Sequence, residues 1–481
     1  MKVPQAQFSN NSSVHRRRWY HILTVVSLTL VFGLFQLRLA SSSTNTPPST
    51  PEFYHNISTS RLCGSVSHSG HIGLAGDSEQ SPKRSFFWYF EAEEDPWDAP
   101  IILTVGGGPG TSGLMNPLFG QSACLVTEHG LSENPNRWTQ KHNLIALDHP
   151  IGAGFSYGSR VNSSHAAALD AYDFLQKFFV LFPHLSGNKF FVSGGSYGGV
   201  YVPHIAIVIH EENQRILEKN SYKRVHINLD ALILSNPFTS PRAHFSWLLQ
   251  YRCSDHHIYN TTDCDRLYSL LPKCLDSIEL AFQEPTVKNR VASSKLCYDG
   301  LNADLHGTVQ EDIRRKCIPQ NDAPDACHPE FNWIFKALND SDTRQTLGVP
   351  SHLEYVPINM QVNAEFHEAG DLIQQHHLLY PPLIAAGIRL LHYIGMQDAN
   401  CPWPGTVSFL NLLPTTFRDE FNTAPELPWP SEEAGTVRSA GLGAGNVTLI
   451  LLREAGHFTV KDQPALAKTI VEHWVANEPF L

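Results

Sequence analysis

The chain is short of charge. Only 17% of its 481 residues are Asp, Glu, Lys or Arg, below the ~25% usual for soluble domains, and 35 basic against 46 acidic residues leave a formal charge of −11. No basic stripe exists to neutralise phosphates, which argues against a nucleic-acid binder. Nor does any pair of cysteines fall into a CxxC spacing, which argues against a zinc ribbon or a thioredoxin-type site. The HEENQ at His210 lacks the second histidine of a zinc-protease helix, and the glycine run Gly106–Gly110 lacks the lysine and serine of a phosphate loop. Internal repeats are absent as well, and neither a metal nor a nucleotide cofactor is expected. Glycine and proline, 32 of each, are near average, and 42% of the residues are apolar. Collagen-like and wholly disordered chains are thereby excluded, and a large buried core is available.

Cysteine is present in quantity. Nine occur, six of them between Cys253 and Cys327, and they read as disulfides of a secretory protein with at least one thiol left over. Asn56, Asn162, Asn260, Asn339 and Asn446 each open an N-x-S/T glycosylation sequon and point the same way. At the N-terminus the basic Arg16-Arg17-Arg18 precedes an uncharged stretch whose most apolar part is Ile22 to Phe35. Residues 1–40 therefore form a signal sequence, cleaved as a short h-region or kept as a single membrane anchor, with the rest of the chain outside the cytosol. Residues 41–60, beginning SSSTNTPPSTP, read as a Ser/Thr/Pro stalk.

Beyond the stalk, residues 61–481 alternate strand-like and helical runs. The candidate strands are Phe86–Phe90, Ile101–Val105, Asn143–Leu147, Lys189–Ser193, Leu229–Leu234, Arg389–Ile394 and Val447–Leu452. Their apolar runs lack a polar face of period two, the signature of strands buried on both sides. With helices such as Ser164–Phe182 and Pro203–Leu217 between them, they predict an α/β fold with a mostly parallel sheet. The cysteine-rich tract 241–349 breaks the rhythm and reads as a cap inserted above the sheet.

A serine nucleophile on such a sheet needs a tight strand-to-helix turn flanked by glycines. G-x-S-x-G occurs twice, around Ser156 and around Ser196. Only Ser196 directly follows a strand and precedes a long helical run; Ser156 reads as a structural loop serine. Asp398, after the strand Arg389–Ile394, and His457, after Val447–Leu452, complete the chain order Ser, Asp, His at the strand ends where ligands approach. The Gly108 amide in GGGPG and the Tyr197 amide are the expected oxyanion donors.

The blocks SFFWYFEAEEDPWDAPIIL, GGPG, NPNRW, LDHPIGAGFSY, SGGSYGG, GMQD and AGH stand in this order from about Cys63 onward. Together they resemble the serine carboxypeptidases, α/β-hydrolases of the secretory pathway and vacuole that remove C-terminal residues from peptides. The resemblance implies Ser196, Asp398 and His457 as a triad, with Gly108 and Tyr197 as the oxyanion hole. It also exposes departures. Where the family has Asn before GGPG, Glu ten residues after it and Glu before the catalytic serine, all three binding the substrate's terminal carboxylate, this chain has Gly106, Gly120 and Gly195. Thr111 replaces a family cysteine, and Cys401 is expected to be the unpaired one.

The expected substrate is a peptide or another acyl donor, and three functions are compatible with the sequence: a serine carboxypeptidase, a related acyltransferase or esterase, and an inactive binding protein. The intact triad argues against the last. The three glycines predict only weak preference for free C-terminal acids, unless Asn116, Gln121 or Ser122 substitutes for the lost groups.

Overall fold

The computed structural model describes residues 53–219, 224–317 and 327–480. The signal sequence or anchor, and the stalk up to residue 52, lie outside the described residues. Sixteen strands are described: β1 Tyr54–Ser60, β2 Ser67–Gly73, β3 Lys83–Phe90, β4 Ile101–Val105, β5 Cys124–Thr127, β6 Gly130–Glu133, β7 Asn143–Leu147, β8 Tyr157–Gly158, β9 Phe190–Ser196, β10 Leu229–Pro237, β11 Thr308–Val309, β12 Asp312–Lys316, β13 Arg389–Gly395, β14 Leu427–Pro428, β15 Gly435–Ala440 and β16 Val447–Leu452. Twelve build one sheet, with the path β1-β2-β3-β7-β4-β9-β10-β13-β16-β15-β14 and β8 alongside β3. The stretch from β7 to β16 is parallel throughout, and the flanking pairs are antiparallel.

Each of the seven predicted strands lies in this sheet, and β4 shows why they lack alternation. Ile101, Leu103 and Val105 face one apolar core and Ile102 faces the other, so both faces are apolar. The predicted stalk runs too far. Residues 54–60 form β1, antiparallel to β2, because Phe53, Tyr54 and Ile57 have apolar surface to place against the core.

Tract 241–349 holds the helices Pro241–Leu249, Thr261–Gln283, Val287–Ser294 and Pro329–Asn339 and the hairpin β11–β12. Disulfides Cys253–Cys264, Cys274–Cys297 and Cys317–Cys327 staple it, and Cys63–Cys124 ties the first strands to β5. Cys401 is free and buried, as expected from the sequence. Thr111 instead forms a backbone bridge with Ile358. Hydrogen bonds from Ser112 N–H to the Pro357 carbonyl and from Asn359 N–H to the Gly110 carbonyl, both 2.9 Å, flank it. The glycine-rich loop is thus held at this point by backbone pairing.

Candidate active site

Ser196 is the last residue of β9, and the helix Gly198–Lys219 begins two residues later. Its φ of 56° lies in the left-handed region, the strained turn that lifts a nucleophile's Oγ off the sheet. That turn leaves no room beneath it. A Cβ on Gly107 would stand 2.8 Å from Ser196 Cβ and 2.9 Å from the Tyr197 nitrogen. Pro203, inside the helix, cannot donate to the carbonyl of Gly199; the Thr239 hydroxyl donates to it instead at 3.1 Å.

The other two members arrive on loops after β13 and β16. His457 Nδ1 lies 2.6 Å from Asp398 Oδ2. Asp398 is wholly buried and also accepts from the Asn236 side chain at 2.9 Å and from the amides of Asn400 at 2.7 Å and Cys401 at 3.2 Å. Burial disfavours the imidazolium of His457, but the adjacent Asp398 carboxylate, with Glu311 beyond it, outweighs this and raises its pKa. Asp398 thus stabilises the charge that His457 would acquire as a base. The Cys401 thiol sits within 4.8 Å of both ligand-type atoms, and burial together with Asp398 pushes its pKa well up. It remains a neutral thiol.

Ser196 and His457 open into one cavity of about 150 Å³, which is also lined by Gly106, Gly107, Gly108 and Gly195. The Tyr197 side chain is anchored away from it, its hydroxyl donating to buried Asp371 at 2.8 Å. Ser156 lies elsewhere: its Oγ accepts from Phe86 N–H at 2.7 Å and donates to the Asp148 carbonyl at 2.6 Å, so the hydroxyl holds its loop to β3 and to the residue after β7.

The three glycines differ. Gly106 and Gly195 line the cavity; Gly120 does not. A Cβ at Gly106 would meet the Thr111 carbonyl oxygen at 2.2 Å, and one at Gly120 the Val460 carbonyl oxygen at 2.4 Å. At Gly195 the nearest atoms are the Ser235 oxygen at 3.1 Å and Asn116 Nδ2 at 3.5 Å. Backbone has closed over two of the positions, and the third is the least crowded, needing the Ser235 carbonyl to give by a few tenths of an ångström. Of the three substitutes considered, Asn116 lines the cavity, Ser122 is engaged with the Cys124 carbonyl, and Gln121 is buried away from it.

Two residues escaped the sequence reading. Asn236 lies one residue before the end of β10, where its amide clamps Gly395 of β13 and supports Asp398; its signal was a polar Ser-Asn pair after the apolar run Ala231–Leu234. Glu311, in the β11–β12 turn, lines the cavity; nothing in its local sequence marked it.

A parallel-stranded sheet with a serine elbow, a histidine–aspartate pair and a glycine loop meeting at its strand ends defines an α/β-hydrolase with a serine-hydrolase site. The pattern that defines the serine carboxypeptidases matches residues 60–477, and the chain belongs to that family. It is 30% identical over 414 residues to carboxypeptidase Y homolog A of Pyricularia oryzae, and 28% over 413 residues to that of Leptosphaeria maculans. Each alignment covers 84% of this chain and 72% of the relative. The crystal structure of Kex1, a prohormone-processing carboxypeptidase from Saccharomyces cerevisiae, shares the fold with a TM-score of 0.73 at 21% identity, covering 86% of this chain and 92% of that one.

Proposed function

We propose that this serine carboxypeptidase releases C-terminal residues from peptides through an acyl-enzyme on Ser196, in a compartment outside the cytosol. The observation that carries the reading is that Ser196, His457 and the Gly108 loop line one cavity, with buried Asp398 bonded to His457 behind it. Ser196 Oγ attacks the scissile carbonyl while His457 Nε2 takes its proton; the Gly108 and Tyr197 amides stabilise the oxyanion. His457 then returns the proton to the departing nitrogen as the carbon–nitrogen bond breaks. Water, activated by the same histidine, releases the acyl group. A second reading, transfer of the acyl group to another alcohol or amine, draws support from the missing side chains at Gly106, Gly120 and Gly195. The two share every step up to the acyl-enzyme.

A fluorophosphonate probe tests the nucleophile. Ser196→Ala should abolish labelling and the mass-detected release of C-terminal residues, with kcat falling by several orders of magnitude; labelling that persists there and vanishes in Ser156→Ala would overturn the assignment. Among the described residues no helix is long and apolar enough to cross a membrane, and four disulfides fit an oxidising compartment. Of the sequons, Asn56, Asn162 and Asn260 are exposed. Asn339 instead donates from Nδ2 to the carbonyls of Phe335 and Tyr355, both at 3.0 Å. In this reading N-glycosidase treatment converts the first three sites to aspartate in the mass spectrum and leaves Asn339 unmodified; an unglycosylated protein would contradict the luminal placement.

A further inference from the structure

We propose that Asp371 is a positioning residue for the reaction: by holding the Tyr197 side chain it fixes the backbone amide with which Tyr197 receives the oxyanion; this rests on the acyl-enzyme reading given above. Two duties fall on Tyr197. Its N–H is the second oxyanion donor, and its carbonyl opens the helix Gly198–Lys219, accepting from Val200 N–H at 2.9 Å and Tyr201 N–H at 3.2 Å. The residue before it, Ser196, has a φ of 56°, a conformation that persists only where the surroundings over-determine it.

The strained turn is clamped from both sides. From the sheet, Phe238 N–H donates to the Ser196 carbonyl at 2.8 Å. From the helix side, the buried Tyr197 ring lies beside Tyr201 and Phe238, with centroids 5.2 and 6.4 Å away, and its hydroxyl donates to Asp371 Oδ2 at 2.8 Å. Burial pushes the pKa of that hydroxyl well up, so it stays a donor. The rings hold the side chain by shape, and the bond to Asp371 fixes its reach.

Asp371 is itself firmly placed. Gly370, with a φ of 69°, turns the chain out of the helix Met360–Glu368. Asp371 N–H then returns to the Phe366 carbonyl at 3.1 Å and Gly370 N–H to the His367 carbonyl at 3.0 Å, the paired bonds that close a helix on a left-handed glycine. The Asp371 carboxylate is buried and accepts from Ser164 N–H at 3.1 Å, from the Ser164 hydroxyl, from Gln374 Nε2 at 3.0 Å and from Tyr197. None of these donors is a cation. Ser164 begins the helix Ser164–Leu181, whose N-terminal amides favour a negative charge, and bonds to a carboxylate are stronger than those between neutral groups. Through Asp371 the nucleophile turn is thus tied to two helices that contribute nothing to the cavity lining.

Tyr197→Phe and Asp371→Asn each remove this bond. In the second variant Ser164 N–H can only donate, so the asparagine oxygen must face it and the amide nitrogen is left facing the Tyr197 hydroxyl. Rates are referred to active sites counted by complete labelling with the fluorophosphonate, so a misfolded fraction does not enter. Each variant should lose about tenfold to a hundredfold in kcat/KM for a blocked dipeptide, less than the ~10²–10³ that follows loss of an oxyanion donor itself. A peptidyl trifluoromethyl ketone, which forms a tetrahedral adduct with Ser196, should lose affinity by the same factor, while the corresponding alcohol, which forms none, should bind within about twofold of wild type. The double variant should lose little more than Tyr197→Phe alone, because Asp371 acts through that hydroxyl. Undiminished kcat/KM in Tyr197→Phe, equal weakening of ketone and alcohol, or losses that multiply in the double variant would overturn the inference and leave the acyl-enzyme standing. A wild-type protein that takes no label would overturn both.

Discussion

Gly106, Gly120 and Gly195 show how a departure legible in sequence acquires its meaning only from the neighbouring backbone. By sequence they are three equivalent losses of a carboxylate-binding side chain. In the structure, carbonyl oxygens occupy the space a side chain would need at Gly106 and Gly120, so those two losses cannot be reversed by single substitutions. Gly106→Asn and Gly120→Glu should each lower stability by about 1–3 kcal/mol, the cost of overpacking, read as a drop in Tm. Gly195→Glu, with its nearest contacts at 3.1 and 3.5 Å, should cost less stability than the other two, needing only a small shift of the Ser235 carbonyl, and place a carboxyl beside Asn116. If that group binds terminal carboxylates, the ratio of kcat/KM for free-acid over amidated peptides should rise roughly tenfold from a weak starting preference. A wild-type enzyme already strongly selective for free acids would show that the glycines cost nothing.

Among the secondary-structure elements, those buried on both faces were legible, because an uninterrupted apolar run has no other use in a soluble chain. β4, β7, β9, β13 and β16 belong to this class, and so the serine, aspartate and histidine loops that follow such strands were found. β2, SHSGHIG, and β15, GTVRSA, carry too little apolar surface to announce themselves, although each pairs with the strands next to it in sequence. β1 was absorbed into the stalk for the same reason. The helix after Ser196 starts at Gly198 rather than Pro203, because Thr239, forty residues away, supplies the hydrogen bond that proline withholds. Glu311 was illegible on the same physical ground: its role depends on two loops, around Asp398 and His457, that are far away along the chain.

At the scale of the whole molecule, histidine sets the response to pH. His71 and His142 are buried and lowered to about 4, and His149, His376 and His392 to about 3, chiefly by desolvation. Each is neutral in the fold but, once unfolded, takes up a proton near pH 6.5. Between about pH 6.5 and 4 the unfolded chain therefore binds more protons than the native one, and stability falls as the pH falls, by roughly 1.4 kcal/mol per pH unit for each group fully engaged. Asp148 works in the opposite direction: burial, opposed by bonds from Ser112 and the Phe155 and Gly113 amides, raises it to about 7. The native state thus holds an extra proton between about pH 4 and 7, and its contribution is lost as the pH rises. One such carboxyl cannot offset five histidines. Thermal unfolding should show a Tm lower at pH 5 than at pH 7, with a net uptake of several protons on unfolding. His392, with both ring nitrogens unpartnered among the described residues and its ring between Tyr380 and Phe409, offers the cleanest single test. His392→Leu should flatten the acid limb by about one proton without loss of stability at neutral pH; an unchanged slope would mean that His392 is not among the groups that titrate on unfolding.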